Sequence, residues 1–140
     1  MRKSIDDLIA AAEEGNADAQ NQLGDAYYDG IGVEQDYIQA FEWYLRAAEQ
    51  GHGKAQYNVA YAYANGIGTQ KNTSEAIKWY GKSADQGIAL AEYVLAKMFI
   101  GGQYLEQDLT KGLDLLHKAS NQGLDLAQYD LGTIYLEGKI

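Results

Sequence analysis

The chain has 140 residues, 46% of them hydrophobic and 22% charged, the composition of a soluble globular domain long enough to bury a core. Its net charge of −9 argues against nucleic acid and anionic membrane surfaces as partners, since both need a basic footprint. No stretch approaches the ~18 consecutive apolar residues of a membrane span, and the absence of cysteine removes disulfides and thiol chemistry.

The charge is uneven. Residues 1–70 carry four Lys/Arg against eleven Asp/Glu (−7), and residues 71–140 carry seven against nine (−2). Ordinary solubility accounts for this, and so does an N-terminal half that prefers a basic partner surface. The opening MRKSIDDLIAAAEEG has two basic residues and then acids, so no signal peptide is expected and the reducing cytoplasm is the expected location.

Ser4 to Glu14 is predicted to be a helix, with Ser4 as N-cap and an apolar stripe of Ile5, Leu8, Ile9 and Ala12. Gly15 ends it. A second helix runs from Ala17 to Asp29 and aligns Ala19, Leu23 and Tyr27, with Gly24 beside them to let another helix approach closely. Gly30-Ile31-Gly32-Val33 breaks the pattern. Asp36 then caps a third helix, in which Ala40, Trp43, Tyr44, Ala47 and Ala48 form the buried stripe before Gly51.

The pair then recurs. Ala55, Val59 and Tyr63 replace Ala19, Leu23 and Tyr27; Gly66-Ile67-Gly68 replaces the turn; Asn72 with Glu75 replaces the cap; and Trp79, Tyr80 and Ala84 replace Trp43, Tyr44 and Ala48. A third copy keeps Ala91, Leu95, Phe99 and the cap Asp108, but has Gly101-Gly102-Gln103-Tyr104 in the turn and Leu115-Leu116 in place of Trp-Tyr. A fourth supplies one helix, Asp125 to Glu137. The helix-closing glycines Gly15, Gly51, Gly87 and Gly123 are each 36 residues apart, and a fixed period in this range marks stacked repeats. The expected organisation is a single repeat domain, 1–140: an N-terminal helix (1–15), repeats at 16–51, 52–87 and 88–123, and a partial repeat at 124–140, about eight helices in all.

Little in the chain points to catalysis or a cofactor. Gly81-Lys82-Ser83 resembles the end of a phosphate-binding loop, but Ala76 stands where that motif needs glycine and no strand precedes it. His52 and His117 have no second ligand at zinc spacing, so surface and helix-flank roles are expected for them. No nucleophile elbow exists, and the adjacent acids Asp6-Asp7 and Glu13-Glu14 point to different helix faces. Asn72-Thr73-Ser74 matches a glycosylation acceptor, but helix capping explains it better. No catalytic residue, metal or cofactor is expected.

The pattern A-x-A-x-x-x-L-G-x-x-Y-x-x-G-x-G-V, a cap residue, A-x-x-W-Y and A-A-x-Q-G, running from Ala17 through Gly51 and recurring down the chain, resembles the Sel-one-like repeat family, a branch of the tetratricopeptide-type α/α repeats. Thr69, Gly81, Ser83 and the third turn depart from it. The resemblance implies an all-α fold: an α/α solenoid, a right-handed superhelix of antiparallel helix pairs whose first helices line the concave side. Members are mostly adaptors and scaffolds, in bacteria often tied to signalling, host interaction or toxin neutralisation. The expected function is therefore non-enzymatic binding of a protein or peptide in the concave groove; the alternative is a bacterial immunity or antitoxin-like protein that neutralises an effector enzyme.

Helical spacing leaves four rows of groove candidates on the first helices. They are Asn21, Tyr57, Tyr93 and Tyr129; Asp25, Tyr61, Lys97 and Thr133; Tyr28, Ala64, Ile100 and Leu136; and Asp18, Lys54, Leu90 and Leu126. Asp29 adds to the acidic end made by Asp18 and Asp25. Tyrosine offers a large contact area at low rotamer cost together with a hydroxyl, so Tyr57, Tyr61, Tyr93 and Tyr129 are the expected anchors, although the Tyr57, Tyr93 and Tyr129 row also suits packing between repeats. Leu131, Ile134, Tyr135 and Leu136 on the last helix are expected to be covered by self-association, a partner or further repeats.

Overall fold

The computed structural model describes residues 4–138. Eight α-helices and no strand occur among them: α1 (Ile5–Glu13), α2 (Ala17–Asp29), α3 (Tyr37–Glu49), α4 (Gly53–Asn65), α5 (Thr73–Asp85), α6 (Ala89–Gly101), α7 (Leu109–Asn121) and α8 (Asp125–Leu136). Helices α2, α4, α6 and α8 start 36 residues apart, as do α3, α5 and α7. None of the described helices is long and apolar enough to cross a membrane.

The caps legible in the sequence are made. Ser4 Oγ accepts from the Asp7 N–H at 3.2 Å, Asp36 Oδ1 from Ile38 and Gln39 at 3.0 and 3.1 Å, Asn72 Oδ1 from Glu75 at 3.1 Å and Asp108 Oδ1 from Lys111 at 3.0 Å. Each satisfies backbone donors that the helix itself leaves unpaired, worth about 1 kcal/mol. The first helices of the pairs have a second series of cap positions. Asn16 Oδ1 accepts from Ala19 at 2.9 Å and His52 Nδ1 from Ala55 at 3.1 Å, whereas Ile88 and Leu124 make no side-chain cap bond. The third turn keeps glycine at the helix end, Gly102, but Tyr104 replaces the second turn glycine; no described residue other than glycine takes positive φ.

The chain divides into two compact units, Met1–Trp79 and Tyr80–Ile140, with the boundary inside α5. In the first, α1 packs on α2, α2 on α3 and α3 on α4. Its core gathers Ala12, Ala19, Leu23 and Trp43, with Ile5, Leu8, Ile9 and Tyr27 packed around them. Gly24 does what its position suggested: a methyl group there would stand 2.5 Å from Tyr44 Cδ1, so only the bare backbone lets the Tyr44 ring lie against α2. A polar clamp closes the repeat. Gln50, in the Q-G that ends the motif, donates from Nε2 to the Gly15 carbonyl at 2.9 Å and to Gln20 Oε1 at 2.8 Å, and Gln20 donates in turn to the Ala12 carbonyl at 3.1 Å.

In the second unit, α6 packs on α7 and α7 on α8. Ala96, Leu116, Ala119, Ala127 and Leu131 form the core, flanked by Ile100, Leu113, Leu115 and Ile134. The same clamp recurs 72 residues on, with Gln122 donating to the Gly87 carbonyl at 2.8 Å and to the buried Glu92 Oε1 at 2.7 Å.

Candidate functional site

Each unit carries a cleft at the same place in the repeat. The first, about 310 Å³, lies among α2, α3 and α4 and is lined by Asp25, Tyr28, Tyr37, Phe41, Tyr44, Tyr57, Asn58 and Tyr61, together with the aliphatic Ala40, Ala62 and Ile67. Three helix registers converge here. On α2, Asp25 and Tyr28 are one turn apart; α3 brings Tyr37, Phe41 and Tyr44, and α4 brings Tyr57 and Tyr61, so i, i+3 and i, i+4 neighbours all face the opening. The rings pair into two walls: Tyr28 and Tyr37, with centroids 5.1 Å apart and tilted by 54°, and Tyr57 and Tyr61, 6.3 Å apart and nearly parallel at 28°.

At the base, the Tyr44 hydroxyl donates to Asp25 Oδ1 at 2.6 Å. Burial first, and then this bond to a carboxylate, hold the Tyr44 phenol well above its ordinary range. Burial likewise raises the Tyr57 and Tyr28 phenols, with the neighbouring Tyr61 adding to both. These hydroxyls therefore stay neutral hydrogen-bonding groups through the physiological range. The cleft offers apolar ring faces, phenolic O–H groups and one carboxylate.

The second cleft, about 330 Å³, lies among α6, α7 and α8 and is lined by Lys97, Ile100, Gly101, Leu116, Tyr129, Asp130, Thr133 and Ile134. It is more apolar, because Leu116 and Ile100 stand where the first cleft has Tyr44 and Tyr28. Lys97 is engaged within it, 3.6 Å from Asp130 Oδ2, and the Tyr93 hydroxyl donates to the same oxygen at 2.9 Å.

The groove candidates distribute unevenly. Asp25, Tyr28, Tyr57 and Tyr61 meet in the first cleft, and Lys97, Ile100 and Tyr129 in the second, where Tyr93 supports Asp130. Asp18, Asp29, Lys54, Leu90 and Leu126 are exposed outside both clefts. Asn21 departs from the groove expectation: it is only 8% exposed, and its Oδ1 accepts from Asn58 Nδ2 at 3.0 Å, a bond from α4 to α2. Asp18 also has a defined partner, His52 Nε2 at 2.7 Å. Because His52 Nδ1 accepts the cap bond, the ring proton sits on Nε2 and is donated to Asp18. On the last helix, Leu131 is in the core, Ile134 lines the second cleft, and Tyr135 and Leu136 are exposed.

Sequence reasoning missed the contribution of α3. Tyr37 and Phe41 flank the cleft, and Tyr44, which belongs to the core stripe, also floors it. The available signal was the ring content at 37, 41 and 44 on the helix that follows the Asp25 and Tyr28 face.

Paired helices repeating every 36 residues, with clefts that recur at the same register, define an α/α-repeat protein of the solenoid class. The chain belongs to the Sel1 repeat family, whose profile matches residues 17–52, 53–88, 89–124 and 125–140; proteins of this family are in general protein–protein interaction modules of the non-catalytic scaffold type. Among solved structures it is similar to c5321, described as a protective antigen of uropathogenic Escherichia coli strains with an SLR fold (34% identity, TM-score 0.90, covering 98% of this chain and 29% of that one). It is also similar to a Sel1 repeat protein from Oxalobacter formigenes (36% identity, TM-score 0.87, covering 96% of this chain and 55% of that one). Cysteine-rich protein B of Helicobacter pylori shares the fold at 18% identity and a TM-score of 0.67, covering 86% of this chain and 92% of its own. This chain thus spans about a third and about half of the length of the first two. No curated protein sequence matches it.

Proposed function

We propose that this chain is a protein-interaction module that captures a peptide or protein surface in the cleft among α2, α3 and α4, with Tyr57 and Tyr61 as aromatic anchors. The observation that carries this is the concentration of tyrosine rings around an open cavity whose floor is already fixed by the Tyr44 to Asp25 bond. A rigid floor with partly exposed rings at its rim lets a partner bury large apolar faces and reach phenolic hydroxyls at little ordering cost. Asp25 within the cleft, and Asp18 and Asp29 outside it, favour basic partner groups. The second cleft, apolar with an internal Lys97–Asp130 pair, adds a distinct surface for the same class of partner.

Tyr57→Ala combined with Tyr61→Ala should weaken capture of the native partner by well over tenfold, since buried aromatic anchors carry about 2 kcal/mol or more each. Pull-down from the source organism with wild type and double variant measures this, with circular dichroism confirming unchanged helix content. Equal recovery of the partner by both proteins would place the binding surface elsewhere.

A further inference from the structure

The two clefts sit 72 residues apart in the repeat and differ most plainly in one group: the second contains its own cation. Lys97 stands where the first cleft has Asp25, and Asp130 where it has Asn58; Tyr93, outside the cleft lining but beside both, holds the register of the buried Asn21. The Lys97 ammonium lies 5.4 Å from the Tyr93 ring centroid, 3.4 Å from that hydroxyl and 3.6 Å from Asp130 Oδ2. A cation held between a tyrosine hydroxyl and a carboxylate is thus an arrangement this repeat frame supports.

The first cleft has the rings and the carboxylate, but no Lys or Arg lines it. The hydroxyl that Tyr44 donates to Asp25 is neutral, so it orients the carboxylate without cancelling its charge. The Tyr28–Tyr37 and Tyr57–Tyr61 pairs line the cleft with rings whose quadrupole attracts positive charge to an accessible face, and residues 1–70 carry −7 overall, eleven acids against four bases. Of the cationic side chains of a polypeptide, arginine suits this best. Its guanidinium is planar, more weakly hydrated than an ammonium, able to stack on tyrosine, and armed with donors in a fork that fits a carboxylate.

We propose that the first cleft takes an arginine side chain of a polypeptide partner, the guanidinium lying against the tyrosine faces with Asp25 as its counter-ion. This rests on the reading of that cleft as the protein-binding site.

Nitrogen-15 NMR of the full chain, titrated with Nα-acetyl-arginine N-methylamide and separately with its neutral citrulline counterpart, tests it. The expected result is shifts centred on Asp25, Tyr57 and Tyr61, with the citrulline compound binding about tenfold more weakly or less well still, and with Tyr93 and Tyr129 unmoved. Asp25→Asn should abolish the preference for arginine. Should that variant lose helix content, Tyr61→Leu, at a position 42% exposed, should reduce the arginine response instead. Equal binding of the two compounds, or arginine shifts spread over the acidic surface from Asp6 to Glu14, would overturn the proposal. If the citrulline compound binds as well but the Tyr57/Tyr61 double variant still loses the native partner, the cleft remains a protein-binding site and only the arginine inference fails. If the double variant also keeps the partner, both fail.

Discussion

Gly68→Ala should destabilise the first unit by about 3 kcal/mol or more, a loss large for a single added methyl group. Gly68 has φ +73°, where an L side chain pays about 1–2 kcal/mol. In addition, its Cβ would overlap the Tyr37 carbonyl oxygen and stand 3.1 Å from the Ile38 nitrogen. Both are backbone atoms at the start of α3, so neither can rotate aside as a side chain would. Gly66, in the same turn, separates the two causes. It has φ +68°, but a methyl group there meets only Lys71 atoms, none closer than 3.5 Å. Gly66→Ala should therefore show the backbone strain alone. Urea unfolding of both variants checks this; equal losses would show that the turn does not rest on α3.

Leu23→Ala should remove about 3–5 kcal/mol. Leu23 is 0% exposed, and its core neighbours include Ala12 and Ala19. Alanine has no rotamer with which to fill a void, and Trp43, the large neighbour, is held in place on α3, so the cavity should stay largely uncollapsed. The urea midpoint should fall while the slope of the transition stays unchanged. A loss below about 1 kcal/mol would mean that the core relaxes around the void.

The periodic part of this fold was legible in the sequence because it depends on residues close in the chain. A cap such as Asp36 acts on donors two and three residues away, and the stripe from Ala40 to Ala48 is set by helical spacing alone. Much of what escaped was set by partners about 30 or more residues away. Gln50 looks like one letter of the A-A-x-Q-G motif until its side chain is seen to reach the Gly15 carbonyl and Gln20. Asn21 reads as a groove position until Asn58 covers it. His52 escaped because histidine is outside the usual N-cap set, yet its second nitrogen finds Asp18 on the preceding first helix.

The candidate site was half legible for the same reason. Asp25, Tyr28, Tyr57 and Tyr61 follow from the exposed faces of the first helices. Tyr37 and Phe41 required knowing how far α3 leans over α2, which depends on Gly24 admitting the Tyr44 ring. The scaffold residue and the site residue are here the same tyrosine, whose ring packs on α2 and whose hydroxyl holds Asp25.

The central claim, that the cleft among α2, α3 and α4 is where a protein partner docks, is tested most directly by photo-cross-linking. A benzophenone amino acid placed at Tyr61 on the cleft rim, and separately at Glu42 and Glu49, which are exposed on α3 and outside the cleft lining, is irradiated with the native partner bound. Covalent adducts from position 61 and none from positions 42 and 49 are the predicted result; adducts from 42 or 49 with none from 61 would contradict it.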